Sequence, residues 1–136
     1  MPNAIVARGL GRDFGGRVAV EDVSFEVGEG EVFGLLGPNG AGKTTTVRML
    51  CAMLAPSSGS AEICGHALGR DDLAIRAAVG LLTEQPGLYD RLSARDNLLY
   101  FGRLFRVPDG EARARVEALL GRFGLRERGD EKVGGF

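Results

Sequence analysis

Apolar and polar positions alternate along VSFEV, with Val23, Phe25 and Val27 on one face and Ser24 and Glu26 on the other, the period of a half-buried strand. Residues 4–7 (AIVA) form a second short strand candidate. The run VFGLL at 32–36 has no polar face, which predicts a strand buried on both sides, as in a parallel sheet, leading straight into Gly37. The period then changes. In KTTTVRMLCAML, Val47, Leu50, Cys51 and Leu54 recur at helical spacing, and Pro56 predicts a stop nearby, because the residue before a proline is pushed out of the α region.

Beyond the turn SSGS, the pattern predicts a strand at 60–64, a loop at 65–72 and another apolar strand at 77–82. From about residue 84 the reading is helical. Ser93 with Asp96 three residues on is a capping signature, followed by a wide apolar face of Leu98, Tyr100, Phe101, Leu104 and Phe105. A last helix starts near Asp109, carries Val116, Leu119, Leu120 and Phe123 on one stripe, and stops at Gly124.

Composition narrows the classes. The chain has 136 residues, 44% of them hydrophobic, which suits one folded domain with a real core. Basic and acidic residues nearly cancel, 17 against 18, without a dense Lys/Arg run, so a nucleic-acid partner is not expected. Neither a signal peptide nor an apolar run of bilayer length occurs, and a cytosolic protein is the expectation. Cys51 and Cys64 lack metal-type spacing and are assigned no chemistry.

Glycine is the outlier, with 22 residues placed mostly at turns. Six fall within residues 28–42, and the stretch GPNGAGKTTT meets the pattern G-x-x-x-x-G-K-[ST] with Gly37, Gly42, Lys43 and Thr44. Glycines let backbone N–H groups converge on an anion with no Cβ in the way. The helix that starts here adds its positive end and its unpaired N–H donors. The cradle therefore comprises Gly37, Pro38, Asn39, Gly40, Ala41 and Gly42, with Lys43 directed to the β- and γ-phosphates, Thr44 to Mg²⁺ and Thr45 to a second phosphate contact. ATP with Mg²⁺ is the expected ligand. A chance glycine-rich turn is the competing explanation, and the flanking strand-then-helix pattern argues against it.

The segment FGGRVAVEDVSFEVGEGEVFGLLGPNGAGKTTTVRML, continued by SSGSAEICGH, VGLLTEQPGLYDRLSARDNL and VGGF, resembles the ATP-binding domain of ABC transporters over essentially the whole chain. The resemblance implies an α/β P-loop NTPase fold: an N-terminal antiparallel β part, a P-loop strand and helix, and a helical subdomain. It implies a nucleotide-binding core at 1–83, then a Q-loop-like segment and the start of the helical subdomain at 84–136. It also implies that Phe14 stacks on adenine, the competing reading being a simple core aromatic. The family's glutamine, which contacts Mg²⁺ or the attacking water, aligns with Glu84; a slip of one residue gives that role to Gln85. A carboxylate there still suits Mg²⁺ but repels a γ-phosphate when no metal intervenes. His66, in CGHAL, matches no family role.

By the same resemblance, the partners are a membrane-spanning transporter subunit, docked on the helical subdomain, and a second ATP-binding domain in a head-to-tail dimer. The protein would lie on the inner face of the cell membrane through that subunit. VGGF precedes the family's signature, and the aspartate-bearing strand, catalytic glutamate and sensing histidine are not in these 136 residues. The sheet is therefore expected to be incomplete and the residues alone to lack hydrolysis. Two readings follow: the ATP-binding part of a transport ATPase, with FGLLGPNGAGKTTTVRML and PGLYDRL closer to exporters than importers, or a non-catalytic nucleotide-binding or interaction module. A guanine-reading N-K-x-D motif is absent, which disfavours a GTPase.

Overall fold

Strand alternation at 23–27 belongs to a longer hairpin in the computed structural model, which describes residues 2–85 and 87–136; Met1, and Pro86 within VGLLTEQPGLY, lie outside the described residues. Strand β1 (Asn3–Asp13) pairs antiparallel with β2 (Val18–Gly28). The connecting turn closes through Phe14 N–H to the Arg17 carbonyl at 2.9 Å and Gly16 N–H to Asp13 Oδ1 at 2.6 Å. On its other edge β1 pairs with β3 (Ser58–Ile63), and the two-residue β4 (His66–Ala67) completes an antiparallel sheet in the order β2-β1-β3-β4. The segment read as a 65–72 loop thus contributes two residues to the sheet, turned back through Cys64 and Gly65, both at positive φ.

One face of this sheet is covered by helix α1 (Lys43–Leu50) and by α2 (Asp72–Ala78). Leu10, Ile63, Met49 and Ile75 are fully buried there, each contributing about 1.5–3 kcal/mol of burial free energy. Helix α1 ends at Leu50, earlier than the proline signal predicts, because Ala52 turns back at positive φ and its carbonyl is taken by Arg76 Nε and Nη2 at 3.0 and 2.8 Å. The contacts group the chain into two compact units, Met1–Leu81 and Leu82–Phe136.

Two expected strands are not formed. Residues 32–36, the P-loop strand of the expected fold, make no ladder with any described segment. A strand exists only through its neighbours. Phe33 does stack on Phe25 of β2, ring centroids 4.8 Å apart, while Val32 and Leu36 are 98% and 95% exposed. At 77–82 the first residues instead finish α2: Ile75 and Val79 lie four apart on the face that packs on the core, and Val79 N–H bonds the Ile75 carbonyl at 3.0 Å. Only Ala77 and Ala78 of the run belong to the helix, and residues 80–82 join no helix or strand.

In the second unit, α3 (Ala94–Leu104) and α4 (Asp109–Arg122) pack around Ala94, Val116 and Leu120. Ser93 caps α3, its Oγ accepting from Asp96 N–H at 3.0 Å, and Gly124 ends α4 at φ 67, both as the sequence predicts. The apolar face of α3 is narrower than its sequence suggests, since Leu104 and Phe105 are exposed. Its buried polar residue is Asn97, 1% exposed, which accepts from Tyr89 N–H at 2.9 Å and donates to the carbonyls of Ser93 and Tyr89 at 2.9 and 3.1 Å.

Candidate functional site

The glycine loop reaches α1 through two left-handed residues, Gly40 at φ 85 and Gly42 at φ 88. A tight turn closes it, Ala41 N–H donating to the Pro38 carbonyl at 3.1 Å. Gly42 is the N-cap of α1, and a glycine offers no side-chain oxygen to the first-turn N–H groups. The first turn also carries no acidic residue. Its positive end is thus left to an external anion.

Lys43 begins the helix, and its ammonium donates to the carbonyls of Pro38, at 2.8 Å, and Gly37. The positive charge therefore sits within the loop itself. Thr44 is exposed, Thr45 half-buried, and Thr46 buried with its hydroxyl donating to the Gly42 carbonyl at 2.9 Å. The third threonine of GPNGAGKTTT is thus spent on holding the helix start, while the first remains open to a ligand. Gly37 to Thr45 are brought together by contiguity and by these bonds.

Phe14 lies at the β1–β2 turn, 47% exposed, so it is not the core residue that an aromatic usually is. One face of its ring is covered by the Arg12 guanidinium, 4.6 Å from the ring centroid. Arg12 also donates from Nη1 to the Ala55 carbonyl at 2.8 Å, in the segment that follows α1. The sequence reading missed Arg12. Its signal was the spacing: residues two apart at a strand end share a face.

Glu84 and Gln85 are exposed and belong to the second unit. The Gln85 carbonyl accepts from the Thr83 hydroxyl at 2.5 Å. Thr44 and Glu84 both offer hard oxygen donors, the chemistry Mg²⁺ takes. Among the described residues no group of three His, Cys, Asp or Glu could hold a metal. Of the remaining candidates, burial pushes the half-buried Cys51 thiol up, and Cys64 is exposed. No described helix is long and apolar enough to cross a membrane.

The family model described as "ABC transporter" matches residues 20–135. The chain is 44% identical over 119 residues to the ABC transporter ATP-binding protein NatA of Bacillus subtilis, covering 87% of this chain and 48% of that protein. It is 42% identical over 130 residues to the daunorubicin resistance ATP-binding protein DrrA3 of Streptomyces coeruleorubidus, covering 96% of this chain and 41% of the relative. The chain thus spans about half the length, or less, of these curated relatives. A solved ATP-binding subunit of an ABC transporter superposes with TM-score 0.81 at 28% identity, over 98% of this chain and 55% of that one. The fold is likewise that of cbiO1 from Clostridium perfringens, part of the ABC transporter complex cbiONQ, with TM-score 0.82 at 24% identity over 96% and 54% of the two chains.

Proposed function

The chain belongs to the ABC transporter ATP-binding family, and from that premise we propose that it binds Mg-ATP at the loop of residues 37–45 and serves a transport ATPase. The observation that carries the reading is the uncapped first turn of α1, entered through Gly40 and Gly42 and flanked by Lys43. The backbone N–H groups there bind phosphate oxygens. Lys43 exchanges its carbonyl partners for the β- and γ-phosphates, and the Thr44 hydroxyl would be the oxygen that holds Mg²⁺. Phe14 offers its open face to adenine. Glu84, or Gln85 in the alternative register, is the proposed contact to the metal or to the attacking water. Bound Mg²⁺ would neutralise phosphate charge and orient the γ-phosphate.

Hydrolysis is proposed for the complete dimer, coupled to transport by a membrane-spanning subunit that docks on the helical segment of 84–136. Relatives named for daunorubicin resistance, for doxorubicin resistance in Mycobacterium tuberculosis and for Nod factor export support export as the direction. The protein then works on the inner face of the membrane, held there by its partner.

Titration calorimetry of Mg-ATP against the wild-type chain and Lys43→Ala tests the site. The variant loses a charge-assisted contact of about 1.5–3 kcal/mol, or about tenfold to a hundredfold in affinity. Equal affinity in the two proteins removes the loop from the nucleotide site.

A further inference from the structure

We propose that Arg12 is a positioning residue for base recognition, stacking on one face of Phe14 so that the other is kept for adenine. The inference rests on the reading that Phe14 is the base platform. It begins from an oddity of burial. The Arg12 Nε is buried and has no hydrogen-bond partner among the described residues, a cost that a surface arginine avoids by swinging into water.

What keeps the guanidinium in place is on either side of it. Nη1 is tied to the Ala55 carbonyl at 2.8 Å, and the flat of the group lies 4.6 Å from the Phe14 ring centroid. A cation favours the negative face of an aromatic ring, so Arg12 and Phe14 stack rather than part. The ring is 47% exposed, and among the described residues Arg12 is the one cation stacked on it. The stack also draws π-density toward the cation, which makes the open face a better partner for an electron-rich purine.

The anchor at Ala55 carries a second consequence. Ser57, two residues on, donates from its N–H to the Gly11 carbonyl at 2.8 Å, and its hydroxyl accepts from Asp13 N–H at 3.0 Å. The segment following α1 thus clasps the end of β1 on both sides of Arg12. The phosphate cradle sits at the start of α1 and the base platform is tied just past its end, so one short helix sets the separation between the two. Arg12 is the side chain through which that spacing reaches the ring.

Binding of two probes separates this role from a general structural one. ATP uses platform and cradle, whereas inorganic tripolyphosphate uses the cradle alone. Arg12→Gln is expected to weaken ATP by about three- to tenfold and to leave tripolyphosphate unchanged. Arg12→Lys, which keeps a cation over the ring, is expected to recover part of the loss, and Arg12→Gln added to Phe14→Ala should cost nothing further. Equal weakening of both probes, or the same loss with and without Phe14, overturns the proposal. So does ATP affinity unchanged in Arg12→Gln while Phe14→Ala weakens it, an outcome that leaves the Phe14 platform standing. ATP affinity unchanged in Phe14→Ala removes the platform itself and the Arg12 role with it. Thermal melting of each variant identifies one that has merely lost its fold, and Arg12→Lys then decides by the same two probes.

Discussion

A Cβ placed on Gly42 would lie 2.4 Å from the carbonyl oxygen of Ala19. The loop is therefore pressed against β2 at the residue that caps α1, and φ 88 adds a conformation that L side chains rarely adopt. Gly42→Ala should cost about 2 kcal/mol or more, from backbone strain and from the shift needed to relieve the contact. A lowered melting temperature with ATP affinity reduced alongside it is the expected result. An undisturbed melt would mean that β2 yields at no cost.

Asn97 is the corresponding fixture of the helical unit. It is 1% exposed and holds the chain at Tyr89 by bonds in both directions, 2.9 Å from Tyr89 N–H and 3.1 Å to its carbonyl. Asn97→Ala leaves these backbone groups without a partner and should destabilise the unit by about 2–3 kcal/mol. Hydrogen exchange at the Tyr89 amide is the sharper test: its protection should fall while that of the α4 amides follows only global stability. Retained protection at Tyr89 would show that its amide stays closed to solvent without Asn97.

The two thiols should differ in reactivity. Cys51 is half-buried and burial raises its pKa, so less of it is thiolate at about pH 8 than of an ordinary thiol. Cys64 is exposed at the β3–β4 turn. A folded-state pKa above the unfolded value stabilises below the unfolded pKa, and that contribution is lost as pH rises through the folded one. Alkylation followed by mass spectrometry should modify Cys64 first at about pH 8, with the gap closing as pH rises or denaturant is added. Simultaneous labelling in the folded protein would contradict the burial of Cys51.

How much of this was legible depended on whether the signal was local. The glycine loop and the helix that starts at Lys43 could be read because both signals lie in one short segment. Ser93 and Asp96 could be read because a cap joins residues three apart, and their bond is present at 3.0 Å. Residues 32–36 could not be settled, since the same apolar run is a strand beside a neighbour and an unpaired segment without one. Val79 misled because its helical partner, Ile75, lies just outside the apolar window that reads as a strand. The contact of Arg12 with Phe14 was not legible, because which ring a guanidinium covers is set by the turn between the strands.

The unpaired run makes the last prediction. Val32 and Leu36 are almost wholly exposed, and the backbone between them joins no ladder with a described segment. Free N–H and C=O groups beside apolar side chains form a template for pairing with another chain, and natural edges avoid this with charges. These 136 residues expressed alone should therefore self-associate, with size-exclusion and light scattering showing species that grow with concentration. Val32→Lys with Leu36→Lys should shift the population toward monomer, because a like charge on each copy opposes pairing and interrupts the apolar edge. A monomeric, cooperatively melting wild type would show that 32–36 is covered in solution by something other than a second chain.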